Sequence, residues 1–190
     1  MAKVQISLHQ IQTLLVGVFM VTVARAGAPD FKVMVDVAEQ EGVYKTTASF
    51  TLPMRLCQAY RYLTDYDMAK KIPGVVATRT TRLEGNKARI DRTLQDRILF
   101  VPISLRMVMD VTELPAKGTD FVQISGEAKS YKGSWRLEET ADATVFRFKS
   151  ESEPDSVWPK AVIQHFIKNR LASSFEAMAS VGMEYRTKSC

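Results

Sequence analysis

The sequence predicts an α+β domain: a curved antiparallel β-sheet closed by one long C-terminal α-helix, with short helices after the first strands. Three observations predict it. Apolar and polar residues alternate in short segments through the middle of the chain. Turn signals such as Glu41-Gly42, Glu84-Gly85-Asn86 and Pro115-Ala116-Lys117-Gly118 separate those segments. The last stretch then changes period, with Ile163, Phe166, Ile167, Leu171, Phe175, Met178, Gly182 and Tyr185 at spacings of three and four. A lone helix after a run of strands buries such a stripe best across the concave face of their sheet. That clasp leaves a hollow, and function is expected in what the hollow holds.

The first 26 residues carry the pattern of a secretory signal, so the chain divides into a signal peptide, 1–26, and one domain, 27–190. Lys3 supplies a thin positive start, Leu14 to Val23 an apolar run, and Ala24-Arg25-Ala26 the small residues of a cleavage site. The apolar run falls well short of the roughly 20 residues a membrane span needs. Cleavage after Ala26 and export to the periplasm are expected; a retained anchor is the alternative, favoured only by Arg25 and the thin start. No cysteine follows the cleavage site, which speaks against a lipoprotein.

The mature segment begins with a strand pair, Lys32 to Glu39 and Gly42 to Leu52; Val33, Val35 and Val37 share one face of the first. Pro53 opens a helix over Met54 to Leu63, because proline is tolerated in a first turn. Thr64-Asp65-Tyr66-Asp67 breaks it, with Asp65 and Asp67 expected as caps for a short helix from Met68 to Ile72 that Pro73-Gly74 stops. Strands follow at Val75 to Leu83, Ala88 to Phe100, Ser104 to Glu113, Asp120 to Ser130, Tyr131 to Glu139 and Ala143 to Glu151, with Val101-Pro102 as an interruption. The final helix runs from about Pro159 to about Tyr185, with Asp155 or Ser156 as its cap and Lys160, Lys168, Arg170 and Glu176 largely off its apolar stripe.

The charge balance excludes little but is informative. Net charge is +5 over 190 residues. Loss of the leader removes Lys3 and Arg25, leaving 24 basic and 21 acidic side chains, a net of +3. That is far from a nucleic-acid footprint, and none is expected as a partner. Hydrophobic residues make up 46%, enough for one proper core. Cys57 and Cys190 are expected as a buried thiol and a frayed terminal one, although an oxidising compartment permits a bridge. With no CxxC and only two histidines, neither a metal nor any other cofactor is expected.

This order, read with Leu63-Thr64-Asp65-Tyr66-Asp67, Ile72-Pro73-Gly74-Val75, Gly133-Ser134-Trp135-Arg136-Leu137 and the Pro154…Pro159 lead into the last helix, resembles the START/Bet v 1-like superfamily (SRPBCC; polyketide cyclase/dehydrase and lipid-transport proteins). The resemblance spans nearly all of the mature chain. It implies the helix-grip fold, a sheet of about six or seven strands around an apolar cavity. It implies no single activity, since members bind lipids, sterols or quinones, cyclise polyketides, or only mediate interactions.

No nucleophile elbow, P-loop, GxGxxG or HExxH is present, and no catalytic residue is assigned. The expected ligand-binding residues are Phe100, Met107, Met109, Phe121, Trp135, Phe146, Trp158, His165 and Phe166, with Phe148 in the same apolar set. Methionine and aromatic side chains line cavities for irregular hydrophobic guests, but part of this set is expected only to fill core. His165 is the one mature histidine; it faces the cavity mouth or stays a structural, partly exposed residue. Trp158 gates the cavity, lies at a bilayer surface, or staples the helix start. Arg79, Arg82, Lys87, Arg89 and Arg92 form a modest basic patch, read as a solvated face, with docking on anionic lipid headgroups or on acidic ligand groups as its alternative.

These features predict a periplasmic binding or carrier protein for a hydrophobic small molecule, lipid-like or polyketide-like, with transient membrane-surface contact as a further expectation. The alternative is a cyclase/dehydratase-type enzyme that polarises a carbonyl with His165, Tyr131 or an arginine. A third is an interaction module with a vestigial cavity.

Overall fold

The computed structural model describes residues 30–98 and 100–190. The signal peptide expected over 1–26, with His9, lies outside the described residues. Eight strands form one antiparallel sheet: β1 Met34–Gln40, β2 Val43–Leu52, β3 Val75–Arg82, β4 Lys87–Ile98, β5 Val101–Leu114, β6 Gly118–Gly126, β7 Ala128–Glu139 and β8 Thr144–Pro154. Their order across the sheet is β1-β2-β8-β7-β6-β5-β4-β3. Helix α1 (Leu56–Leu63) and a 3-10 helix (Tyr66–Lys71) join β2 to β3, and α2 (Lys160–Gly182) crosses the concave face before a last 3-10 turn at Met183–Tyr185. This is the helix-grip architecture, with eight strands where the resemblance implied six or seven. No helix among the described residues is long and apolar enough to cross a membrane.

Local chemistry accounts for most boundaries. Glu41 and Gly42 both hold positive φ (55° and 86°), the two-residue hairpin turn whose twist suits the strands beside it. Pro102 does not interrupt β5: it pairs with Arg97, and the β4–β5 hairpin is tight between Ile98 and Val101. Register shifts at Val75/Ala77, Val108/Met109 and Ala128/Ser130 bend the sheet, as bulges do. The pairing of β6 with β7 ends at Val122 and Lys132, so their far ends splay. Gly133 lies opposite Phe121, and a Cβ there would come within 2.5 Å of the Phe121 ring and 2.3 Å of the Lys149 carbonyl. Only a bare backbone lets that ring come so close to β7.

The terminal helix is secured at both ends. At its start, Lys160 pairs with Glu39 (2.8 Å), Tyr44 donates to the Lys160 carbonyl (3.1 Å) and Gln164 donates to the Val37 carbonyl (2.8 Å). At its end, Tyr62 donates to the Met178 carbonyl (2.7 Å), and Tyr185 hydrogen-bonds Asp65. Asp65 thus anchors the C-terminal turn instead of capping the short helix, and Asp67 pairs with Lys70 on the surface. Asp155 and Ser156 do not cap α2 either; Pro159 holds the N-cap position, and Ser156 accepts from the Trp158 amide (3.1 Å).

The cysteines correct the sequence expectation. Cys57 and Cys190 form a disulfide, with Cα atoms 5.8 Å apart. The C-terminal tail is not frayed: Gln58 donates to the carbonyls of Arg186 and Lys188 (2.8 Å each), and Arg61 to that of Ser189 (2.7 Å). Gln58 and Arg61 of α1 are thus the tail's dock.

Candidate functional site

Between its two anchored ends, α2 bridges a hollow. Two adjoining voids lie there, an outer one of about 380 Å³ and an inner one of about 250 Å³. Leu94, Met107, Tyr131, Arg170 and Leu171 border both and form a waist. The sum falls within the range of small-molecule sites, about 300–1,000 Å³. The void exists because side chains facing α2 from β4 and β5 are slender where those from β2 and β8 are aromatic.

The outer void opens where β6 and β7 splay. Gln123, Glu127 and Ala128 edge it on that side, and the Pro154–Trp158 loop and Ile98 and Ile103 of the β4–β5 hairpin edge it on the others. The inner void runs beneath the 3-10 helix, with Tyr66, Met68, Ala69 and Ile72 as its roof. Burial pushes the Tyr131 phenol up to about 12, against the opposing pull of Arg92 and Ser150. Burial, and then its hydrogen bond to Glu113 (2.8 Å), raise Tyr66 well beyond that of an ordinary phenol. Both are neutral donors at physiological pH.

The expected ligand-binding residues divide three ways. Met107, Met109, Phe121 and Trp135 line the inner void, with Met107 at the waist, and Phe148 joins them. Trp158 and Phe166 line the outer void. Trp158 also packs in the cluster around Ile163, the position a helix staple contacts, so it serves the staple and the rim together. Phe146 is corrected to core: it is fully buried and stacked on Phe50 at 4.6 Å. Phe100 is corrected to surface: at the hairpin tip it is 94% exposed, because the turn lifts it off the sheet whose parity it shares. His165 is also outside the cavity; it is exposed and contacts Asn169 (2.8 Å) on the solvent side of α2.

In the basic patch, Arg79, Arg82, Lys87 and Arg89 lie on the solvated face, and Arg92 alone is corrected. Arg89 forks onto Asp110 (2.7 and 2.9 Å), and Arg82 pairs with Glu113 (2.5 Å). Arg92 has the opposite parity to Arg89 and lines the inner void. Its inward side was legible, since Ala88, Ile90, Leu94 and Ile98 occupy the same even positions. Arg170, expected largely off the stripe, borders both voids, pairs with Asp96 (2.6 Å) and hydrogen-bonds the Pro73 carbonyl. Among the described residues, no group of three or more His, Cys, Asp or Glu stands close enough to hold a metal ion.

Comparison with known proteins places this geometry. The family model described as "Polyketide cyclase / dehydrase and lipid transport" matches residues 52–179. No curated protein matches the chain. Among solved structures, it is similar to the protein TTHA0849 from Thermus thermophilus, with 14% identity and TM-score 0.63 over 74% of this chain and 95% of that one. It is similar to the STAR-related lipid transfer protein fragment from Xanthomonas axonopodis, with 12% identity and TM-score 0.60 over 78% and 98%. It also resembles the di-domain ARO/CYC StfQ of the steffimycin biosynthetic pathway, with 13% identity and TM-score 0.63 over 76% of this chain. There the match spans 50% of StfQ's length. At these identities the likeness is one of fold.

Proposed function

This chain belongs to the polyketide cyclase / dehydrase and lipid transport family, and from that premise we propose that it binds and carries a hydrophobic small molecule, lipid-like or polyketide-like, between the sheet and α2. The observation that carries this reading is the pair of adjoining voids, walled by Met107, Met109, Trp135, Leu171 and Phe166. Burying an acyl chain against such walls is worth about 0.8 kcal/mol per CH₂, so sequestration competes with partition into a membrane. The mechanism is desolvation.

Export to the periplasm is part of the proposal. Its supports are the leader pattern of residues 1–26 and the Cys57–Cys190 disulfide, which suits an oxidising compartment. Transient membrane contact is the other part. Phe100 (94% exposed) and Val157 (100% exposed) stand beside residues that edge the outer void, where they can enter a bilayer surface as the guest transfers. Lipid extraction and native mass spectrometry of protein isolated from its own periplasm should reveal a bound apolar guest. Protein that is empty in native spectra, and that takes up no added amphiphile, would sink the carrier reading.

The cyclase/dehydratase alternative gains one specific observation: Tyr131 presents a neutral phenol at the waist, where it can donate to a substrate carbonyl. It loses His165, which lies outside the cavity. Turnover of a hydrophobic polyketone that disappears in Tyr131→Phe, with binding retained, would favour that enzyme.

A further inference from the structure

Among the described residues, three arginines border the hollow, and two of them are neutralised. Arg106 forks onto Asp91 (3.0 and 2.6 Å), and Arg170 pairs with Asp96 (2.6 Å). Arg92 differs. Its Nε is sealed from solvent and has no hydrogen-bond partner among the described residues. It stands on the concave side of β4, opposite Met107 of β5 and Thr78 of β3. The Thr78 and Thr80 hydroxyls on the neighbouring strand are likewise buried without partners among the described residues. Residues directly opposite on a sheet share a face, so these orphaned polar groups form one patch.

Among the described residues, the charged or titratable groups that act on Arg92 are Tyr131 and Tyr66, and no carboxylate is among them. Both phenols stay protonated at neutral pH, so they supply dipoles and no countercharge. Burial lowers the Arg92 pKa, yet a guanidinium starts so high that it remains charged. A half-buried cation whose Nε is sealed without a partner is a standing cost to the folded state. Such a cost is recovered when something negative arrives. The surrounding surface is apolar, so the arriving group must be carried by an oily molecule.

We propose that the guest of this hollow is an anionic amphiphile, its carboxylate or phosphate met by Arg92 in the inner void and its chain lying through the waist toward Trp158. This rests on the hydrophobic-carrier reading and sharpens it to a class of ligand. The planar fork of the guanidinium suits both head groups, and a charge-assisted contact in a dry site outweighs a neutral one. The Tyr131 hydroxyl at the waist is placed to donate to the same head.

Calorimetric titration with three guests of equal chain length tests it: dodecanoic acid, dodecyl phosphate and dodecan-1-ol. The wild type should bind at least one of the two anions about tenfold or more tighter than the alcohol. The tighter anion identifies the head as carboxylate or phosphate. Arg92→Met should bring both anions to the alcohol's affinity while leaving the alcohol unchanged. Its ligand-free Tm should rise, since an unpaired buried charge is gone; Arg92→Lys should retain a reduced preference. Equal affinities in the wild type would overturn the anionic assignment alone, as would a lower Tm in Arg92→Met with the preference intact, which marks a structural arginine. Should Arg92→Met not fold, the wild-type comparison alone decides. If none of the three guests binds the wild type, the carrier reading itself fails, and the proposal with it.

Discussion

The two halves of the space beneath α2 are built from the same sheet and the same helix, and they end up opposite in character. Toward β2 and β8 the space is full: Phe50 stacks on Phe146 at 4.6 Å, Phe148 lies 5.4 Å from Phe175, and Trp135 meets Phe175 edge-on at 5.5 Å. Toward β4 and β5 it is hollow, bordered by Leu94, Met107 and Arg92. Flat rings interlock and fill volume. Slender, flexible chains on a bent sheet cannot reach a helix held away from them at both ends. The packed half supplies stability, so the other half can remain empty for a guest.

Breaking the packed half should cost most. Phe50→Ala removes a ring that is 1% exposed and should destabilise by about 3–5 kcal/mol in urea unfolding, with guest affinity little changed in what remains folded. The same truncation at Met107 should cost about 1 kcal/mol or less, because its side chain borders space already empty. Equal costs at the two sites would erase the contrast. Next comes the covalent tie. Opening the Cys57–Cys190 bridge, by reduction or by Cys57→Ser, should cost about 2–4 kcal/mol, since the bond closes a loop of 133 residues in the unfolded chain.

Filling the hollow sharpens the comparison from the other side. Met107→Trp should block the waist and weaken binding of dodecanoic acid by about tenfold or more, each CH₂ expelled being worth roughly 0.8 kcal/mol, while the melting temperature holds. Unimpaired binding would put the guest elsewhere. The smallest effect is expected at the helix start. The Glu39 carboxyl is held below its ordinary range, chiefly by its hydrogen bond to Lys160. A depressed carboxylate contributes stability above its unfolded pKa, near 4.5, and loses it as pH falls through the folded value. The difference between wild type and Glu39→Gln should therefore be present at neutral pH and vanish in acid.

Much of the architecture was legible in the residues. Alternation over Ser104 to Glu113 is local information, and so is the three-and-four spacing of Ile163 to Tyr185; each element obeys its own period whatever it later touches. The candidate site was legible in part. Met107, Met109, Phe121 and Trp135 were found by parity and residue type. Phe100 shared that parity but lay at a tip, where the hairpin leaves the sheet. His165 neighbours the apolar stripe in sequence, yet one helical step turns it to solvent. Arg92 shares the inward parity of Ala88, Ile90 and Leu94, but it was grouped by charge with Arg89, three residues away, an odd offset that reverses the face.

The order of elements, the hairpin turns and the faces of strand and helix were determined by the chain alone, because they depend on backbone preferences and on neighbours a few residues away. Which apolar faces meet and which are held apart was decided only in three dimensions. Partners such as Cys57 and Cys190, Asp65 and Tyr185, or Arg170 and Asp96 are far apart along the chain, and nothing local announces them. The vacant half beneath α2, and the lone charge of Arg92 facing it, follow from those distant ties, since a void is a property of the distance between surfaces and belongs to neither surface by itself.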